Sequence, residues 1–312
     1  MKTPVAFIIF NRPDTTKRVF EAIRQAKPPK LFVIADGPRS DRPEDVKKCA
    51  AARAIIDGVD WECEVLTNYS DINLGCGKRL PTGITWVFEQ VEEAIILEDD
   101  CLPDPSFFPF CEELLERYRD DTRIAIISGN NLLGRRTSLY SYYFSKYPYT
   151  WGWATWKRAW KYYDQDMNLW TEIKSRNWLE NILTNKKAVK YWKKIFQNTY
   201  DGKATTVWDY QWTFACLTNN FLSIVPNVNL ISNIGFGQSS THTKDSDNKL
   251  SNLPTQEINF PLVHMPCIIN DIKSDVLADE TIFDTPLINR MKKLIRLLLK
   301  FSRKSLRIFN KI

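Results

Sequence analysis

Three adjacent carboxylates, Glu98, Asp99 and Asp100, are the residues of this chain whose spacing most clearly suggests chemistry. They follow the apolar run 94–97, so they lie together where a predicted buried strand ends. Crowded carboxylates repel one another unless a cation lies among them, and their hard oxygen atoms suit Mg²⁺ or Mn²⁺. The triplet therefore indicates either a metal site that also holds a substrate phosphate or a solvated acidic turn.

Asp209 lies between aromatic residues in the segment that runs from Trp208 to Trp212. Partial burial beside aromatic rings raises the pKa of a carboxyl group toward that of a useful general base. The same pattern also fits an aspartate that caps a helix whose aromatic side chains belong to the core. The segment therefore predicts either a catalytic base or a structural helix start.

Two further segments contain groups that suit a phosphate. Lys78 and Arg79 open a predicted helix beside two glycines, where the two cations can neutralise a diphosphate or simply face solvent. The loop 235–243 combines glycines with small polar residues, which suits a lid over a phosphate as well as a plain surface loop. Its His242 is one of two histidines in the chain, so it can supply one metal ligand, but a large histidine site is excluded.

Aromatic residues make up 13% of the chain, and several of its 11 Trp crowd between residues 151 and 160. Aromatic faces can stack on sugar rings, although core packing is the commoner role of a tryptophan. Trp151, Trp153 and Trp208 are therefore candidates for the wall of an acceptor site, with membership of the core as the alternative.

The elements that must position these residues alternate over the first 130 residues. Short apolar runs predict five strands, over residues 4–10, 31–35, 63–67, 94–97 and 124–127. Helices are predicted between them, over residues 14–26 with Asp14 as the cap, 43–56, 78–92 and 105–119. This alternation predicts an α/β fold with a mostly parallel sheet that is buried on both faces and flanked by helices.

In open α/β sheets, ligands bind beyond the carboxyl ends of the strands. Polar residues follow four of the predicted strands, namely Asn11 and Arg12, Asp36, the three carboxylates, and residues 128–131. The chain has neither GxGxxG after its first strand nor GxxxxGK[ST], which argues against a dinucleotide dehydrogenase and a P-loop NTPase. Residues 140–215 are predicted to be mostly helical after an aromatic entry loop, and residues 221–235 to form strands.

The basic charge of the chain is concentrated at its C-terminal end. The net charge is +6, yet residues 288–312 hold nine Lys or Arg and no acidic residue, which leaves 34 basic and 37 acidic residues elsewhere. A nucleic-acid surface over the whole fold is therefore not predicted. Apolar residues recur among these cations at three- and four-residue spacing, which indicates a basic amphipathic helix. Such a helix suits an anionic membrane surface, and packing on the body or on a second subunit is the alternative.

Cysteine usage and hydropathy predict a cytoplasmic protein. None of the seven Cys forms a CxxC pair, so neither a zinc site nor a disulfide framework is predicted. No apolar stretch reaches the length of about 18 residues that a transmembrane helix needs. Together with the basic C-terminal helix, this predicts peripheral binding on the cytoplasmic face of a membrane.

The order of motifs from residue 4 to residue 245 resembles a known family. The segments are PVAFIIFNRPDTTKRVFEAI, FVIADGPR, AIILEDDCLPDPSFFPF, ISGNN, WGWATWKRAW and VWDYQW. They are similar to those of bacterial family 2-like glycosyltransferases and, more distantly, to N-acetylglucosaminyltransferase I. The resemblance implies a GT-A fold, a UDP-sugar donor, and Mn²⁺ (or Mg²⁺) as the cofactor.

The resemblance also implies a role for each matching residue. Asp100 would be the direct metal ligand, with Glu98 and Asp99 on the sugar and ribose, Arg12 and Asp36 on the nucleotide, and Asp209 as the general base of an inverting transfer. Residues 1–130 would form the Rossmann-like nucleotide-sugar-binding half. Residues 131–285 would form the acceptor-binding and catalytic half of the same domain, followed by the basic helix at 286–312.

These observations predict a glycosyltransferase of bacterial polysaccharide biosynthesis that transfers a hexosyl or N-acetylhexosaminyl group to a glycan or lipid-linked glycan. Two alternatives remain open. A nucleotidyltransferase that makes nucleotide sugars would share the acidic site, but it favours a Gly-rich basic loop where this chain has Asn11, Arg12 and Pro13. A non-catalytic sugar-binding, membrane-associated protein would tolerate loss of Asp100 and Asp209.

Overall fold

A computed structural model describes residues 1–134, 139–183, 185–236 and 250–283. The strands in these ranges are β1 (Val5–Ile9), β2 (Lys30–Ala35), β3 (Glu64–Tyr69), β4 (Glu93–Glu98), β5 (Cys101–Pro103), β6 (Ile124–Ser128), β7 (Tyr142–Ser145), β8 (Trp153–Trp156), β9 (Leu222–Pro226) and β10 (Ile231–Asn233). The predicted helix at 286–312 and the loop residue His242 lie outside the described residues.

The α-helices of the described residues lie between and after these strands. They are α1 (Pro13–Ala26), α2 (Glu44–Ala54), α3 (Cys76–Phe88), α4 (Phe107–Arg117), α5 (Lys157–Trp160), α6 (Trp170–Ser175), α7 (Leu179–Ile182), α8 (Lys186–Tyr200), α9 (Asp209–Thr218) and α10 (Ile272–Ala278). A short 3₁₀ turn follows α2 (Ile55–Gly58), and a π-helical turn follows α10 (Asp279–Phe283).

Eight strands form one sheet in the order β3-β2-β1-β4-β8-β6-β9-β7. The first four are mutually parallel, and β6 is parallel to β9. Strand β8 is antiparallel between β4 and β6, and β7 closes the sheet as an antiparallel edge strand. The predicted fold class is confirmed, because the architecture is a mixed α/β fold with a mostly parallel sheet flanked by helices.

The central strands of the sheet are buried on both faces, as their continuous apolar runs require, whereas the edge strand β3 is largely exposed. Every residue of β1 is buried. On one face, α1 and α4 pack against the sheet through side chains such as Phe20 and Phe107. On the other face, α3 and α9 pack through side chains such as Ile84 and Trp212. The carboxyl ends of the central strands are thereby held at a common edge of the sheet.

The elements predicted over the first 130 residues are confirmed to within a few residues at their ends. Asp14 is not the cap of α1, because the helix begins at Pro13 with Arg12 at the N-cap. The mostly helical prediction over 140–215 is wrong for β7 and β8. The run Trp153–Trp156 is aromatic, short and wholly buried, and its pairing with β4 and β6 decides its conformation.

A second, two-stranded sheet lies directly beyond the acidic triplet. Strand β5 pairs antiparallel with β10, with Asn233 opposite Cys101. The backbone N–H of Ile234 then donates to the Asp100 carbonyl at 2.8 Å. This pairing brings a segment from the second half of the chain against Asp100.

Among the described residues, no helix is both long enough and apolar enough to cross a membrane.

Candidate functional site

Arg12 and two of the three carboxylates form an ion-pair cluster at the carboxyl ends of β1 and β4. One guanidinium nitrogen of Arg12, Nη1, donates to Asp100 Oδ2 at 2.7 Å, and the other, Nη2, pairs with Asp99 Oδ1. The second oxygen of Asp99 accepts from the backbone N–H of Phe10 at 3.1 Å. Arg12 and Asp99 are 87 positions apart in the sequence. They meet because β1 and β4 are adjacent and parallel, so that their carboxyl ends lie side by side.

Burial and mutual repulsion set the charge state of this cluster. Burial, with Asp100 second, raises the pKa of the Glu98 carboxyl to about 8. Burial also raises the pKa of Asp99 to about 6, against the opposing effect of Arg12. For the Arg12 guanidinium, burial alone would lower the pKa, but Asp99 and Asp100 raise it above its ordinary value. The site therefore keeps its cation and favours protons on its most crowded carboxyl groups.

Gly235 covers the Arg12–Asp100 pair with bare backbone. A Cβ atom at this position would lie 2.1 Å from Asp100 Oδ2 and 2.7 Å from Arg12 Nη1. Its N–H donates to Asn233 Oδ1 at 2.9 Å, which fixes the approach. The first residue of the glycine-containing loop 235–243 is therefore a point of close contact with the Arg12–Asp100 pair.

Asp209 is the first residue of α9 and lies in the electrostatic field of the same cluster. Burial raises the pKa of its carboxyl group to about 6, which two backbone hydrogen bonds oppose. Asp209 in turn contributes to the raised pKa of Glu98 and of the Cys76 thiol. The start of α3 also packs on the segment before Asp209, since a Cβ on Gly77 would lie 2.2 Å from the Thr205 carbonyl oxygen. Asp209 therefore interacts electrostatically with Glu98 of the acidic triplet.

Asp36 stands at the end of β2, but it does not offer a free carboxylate to a nucleotide. Its Oδ1 accepts from the backbone N–H groups of Gly37 and Leu74, both at 2.9 Å. Its Oδ2 accepts from the Gly75 N–H at 2.9 Å and the Asn73 amide at 3.1 Å. Since the carboxylate already accepts four hydrogen bonds, the predicted nucleotide contact is corrected to a structural role that joins two loops.

Lys78 and Arg79 point to different environments. Lys78 is exposed, as a phosphate-binding residue at a helix start should be. Arg79 is buried, and it donates to the Ala35 carbonyl at 3.2 Å and to both the carbonyl and the side chain of Asn68. The prediction that Arg79 meets a diphosphate is therefore wrong, because its donors already bind the ends of β2 and β3.

Asn11, at the other strand end, is also engaged within the protein. Its side-chain amide donates to Asp45 Oδ1 at 2.7 Å. The Asp45 side chain is fully buried and forms an ion pair with Arg39. Asn11, expected among the ligand-binding polar residues at the strand ends, therefore has a structural role: its amide positions the loop after β1. No signal in the sequence pointed to Asp45 or Asn73, because their contacts depend on how two distant loops meet.

The predicted tryptophan wall divides into core and surface. Trp153 and Trp208 are buried and stack on each other with ring centroids 5.8 Å apart, in a cluster that includes Trp160 and Trp212. Their assignment to an acceptor wall is wrong, since burial closes both faces to a sugar. Trp151 is partly exposed and lies edge-on to Phe236 at 5.7 Å, close to Gly235.

The described residues contain no group of three or more His, Cys, Asp or Glu side chains arranged to hold a metal ion. Asp99 has both oxygens engaged, and Arg12 occupies Asp100 Oδ2. Arg12 does not bind the Glu98 carboxylate or Asp100 Oδ1, although the Cys101 thiol donates to Asp100 Oδ1 at 3.6 Å. Mg²⁺ commonly binds one or two carboxylates together with substrate phosphates, so these oxygen atoms fit a metal ion that arrives with a diphosphate.

Comparisons with known proteins give only distant structural similarities. No family model and no curated protein matches the chain. An active-site mutant of LgtC is 13% identical with a TM-score of 0.40, over 89% of this chain and 96% of that one. S. aureus TarS is 11% identical with a TM-score of 0.34, over 50% of this chain and 47% of that one, so the match spans about half of TarS.

A putative nucleotide-diphospho-sugar transferase from Desulfovibrio desulfuricans is also similar. It is 11% identical with a TM-score of 0.28, over 51% of this chain and 65% of that one. At these TM-scores, none of the likenesses carries an argument about function. What the chain does must therefore be inferred from its own residues.

Proposed function

We propose that this chain is a metal-dependent, inverting glycosyltransferase that uses a nucleotide-sugar donor, with UDP as the nucleotide. One observation carries the proposal. Asp209, a buried carboxyl group with a pKa of about 6, lies in the field of Glu98 at the carboxyl ends of a mostly parallel sheet. A positioned base whose pKa lies near the operating pH is suited to remove the proton of an acceptor hydroxyl group.

Asp209 removes the proton from the acceptor hydroxyl as the hydroxyl oxygen attacks the anomeric carbon of the donor. The bond between that carbon and the diphosphate oxygen breaks, and the nucleoside diphosphate leaves. Asp100 and Glu98 would hold Mn²⁺ (or Mg²⁺), and a bound ion would supply positive charge to the leaving diphosphate. His242 is a further candidate ligand. Glu98 would also contact the donor sugar, whereas Asp99 would act through Arg12, which binds it and orients the carboxylates. Lys78 is an exposed cation available to the diphosphate.

The loop after β1 disfavours the nucleotidyltransferase alternative. In place of a Gly-rich phosphate loop it has Arg12, whose guanidinium faces Asp99 and Asp100. The acceptor in this proposal is a glycan or a lipid-linked glycan. Trp151 remains the candidate for an acceptor contact, because it is partly exposed at the edge that Gly235 and Phe236 share with the acidic site.

Thermal stabilisation by a panel of nucleotides and nucleotide sugars tests the proposal. A ligand at about 100 times its Kd should add roughly 2.7 kcal/mol of stability, which is an easily measured shift. We expect UDP and one UDP-sugar to stabilise the protein with Mn²⁺, and the effect to fall when EDTA removes the metal. Folded protein that no nucleotide stabilises would overturn the proposal and leave a non-catalytic role.

We also propose that residues 286–312 bind an anionic membrane surface, where each basic residue contributes about 1 kcal/mol. A lipid-linked acceptor would then be within reach of the site. Flotation with vesicles that contain an anionic lipid, compared with neutral vesicles, tests this. The full chain should bind the anionic vesicles, and a chain truncated after Thr285 should not; equal binding by both would refute it.

A further inference from the structure

Arg12 is a cation that pairs with two of the three carboxylates of the acidic turn. Its two guanidinium nitrogens reach Asp99 and Asp100 at the same time, and its side chain is 20% exposed. A planar guanidinium fork is suited to hold two acceptors in fixed positions, which a single ammonium group cannot do. Asp100, one of the two carboxylates that would hold a divalent metal ion, is thus already bound by an arginine of the same chain.

The surrounding backbone holds this arrangement in place. Arg12 is the N-cap residue of α1, and its carbonyl oxygen accepts from Thr16, through both the N–H at 2.9 Å and the hydroxyl at 2.7 Å. On the other side, the backbone of Gly235 lies against both Arg12 Nη1 and Asp100 Oδ2. The guanidinium is therefore confined between α1 and Gly235.

A free divalent ion would find an incomplete set of ligands here. Asp99 has no oxygen left, and Asp100 has one that Arg12 does not use. The like charge of the Arg12 guanidinium also opposes a second cation at Asp100 Oδ2. A diphosphate changes both conditions, because its oxygen atoms add ligands and its negative charge offsets the guanidinium.

We propose that Arg12 is a positioning residue that excludes free divalent metal ions from the Asp99–Asp100 pair, so that metal binds only together with a nucleotide diphosphate. This inference rests on the proposed function for its diphosphate. It makes metal and donor binding mutually dependent, which links the charge of the site to the presence of substrate.

The dependence of metal binding on the nucleotide can be tested directly by measuring Mn²⁺ binding to the full chain. The EPR signal reports the concentration of free Mn²⁺. We expect the wild type to bind Mn²⁺ about tenfold or more weakly alone than with saturating UDP. Equal affinity for Mn²⁺ with and without UDP would overturn the inference.

Variants of Arg12 test which residue is responsible. Arg12→Gln should raise the affinity for Mn²⁺ alone by about tenfold, since the carboxylates lose their cation. Arg12→Lys, which cannot bridge both carboxylates, should give a smaller gain in the affinity for Mn²⁺ alone. If the glutamine variant does not fold, the lysine variant tests the role of Arg12 instead. Arg39→Gln is the matched control, because Arg39 pairs with buried Asp45 instead, and its Mn²⁺ affinity should not change.

A gain in metal affinity separates this role from a merely structural one, because damage to the fold would weaken binding. No gain in a folded Arg12 variant would overturn the inference. If UDP fails to stabilise the wild type with any metal, the proposed function fails, whereas the measurement with Mn²⁺ alone still decides whether Arg12 excludes the ion.

Discussion

Two aspartates that follow strands on either side of β1 in the same sheet have opposite surroundings. Asp36, after β2, accepts four hydrogen bonds from its own and an adjacent loop. Asp100, after β4, meets one arginine and stands among carboxylates that repel it. Although both occupy the edge where ligands bind in such folds, the first joins loops and the second belongs to a site whose charge is incompletely balanced.

The difference teaches that position at a strand end is necessary but not sufficient for a functional carboxylate. A carboxylate whose oxygens are filled by backbone donors stabilises the fold and has little left for a ligand. A carboxylate crowded by others gains most from a cation or a proton. Substitutions in the two regions should therefore separate stability from activity.

The largest effect is expected at Asp209, which shares the field of the β4 end. Asp209→Asn should lower the rate of sugar transfer by about 10²–10⁴-fold, because the amide cannot take the acceptor proton. Donor binding, measured as the thermal shift with UDP and Mn²⁺, should be retained. The matched control is Asp166→Asn at an exposed position, which should transfer at the wild-type rate. Retained transfer in Asp209→Asn would remove its role as a base.

At the β2 end, Asp36→Ala should destabilise the fold by about 1–3 kcal/mol, because buried N–H groups lose their acceptor. Chemical denaturation with urea measures this loss in the free energy of unfolding.

Asp100→Asn should cost less stability than Asp36→Ala. The substitution relieves repulsion with Glu98, although it also weakens the ion pair with Arg12. A larger stability loss at Asp100 than at Asp36 would reverse the comparison.

Gly235→Ala should affect the β4 end alone. The added methyl group would overlap Asp100 Oδ2 and displace it, so UDP binding in the presence of Mn²⁺ should weaken by roughly tenfold. Calorimetric titration measures the affinity. Gly58→Ala is the control, because its Cβ would meet only the Phe20 ring, at 3.4 Å. Unchanged affinity in Gly235→Ala would mean that Asp100 tolerates the shift.

The smallest effect is the pH dependence of transfer. The pKa of Asp209 is raised to about 6 by burial, so the base is protonated below that pH and ionised above it. We expect kcat/KM to be about half of its plateau near pH 6 and to fall further as the pH is lowered. A profile measured from pH 5 to 8 that stays flat would argue against Asp209 as the group that titrates.

The residue pattern alone determined much of the fold. The continuous apolar runs predicted β1, β2, β4 and β6, because a strand buried on both faces needs no polar alternation. They also placed the acidic triplet and Arg12 at the ends of strands, since a strand must stop where its apolar run gives way to polar residues. This local information was enough to predict an α/β fold and an acidic site at its edge.

The tertiary structure decided which of the candidate side chains are available to a ligand. Asp36, Arg79 and Asn11 have polar types in suitable places, yet loops distant in sequence occupy their hydrogen-bonding groups. Trp153 lies in a strand and in the core, although the local sequence predicted a mostly helical region. The pairing of β8 with β4 and β6 decides this conformation. The contact of Arg12 with Asp99 and Asp100 likewise arises from the adjacency of β1 and β4, and no local pattern of residues encodes it.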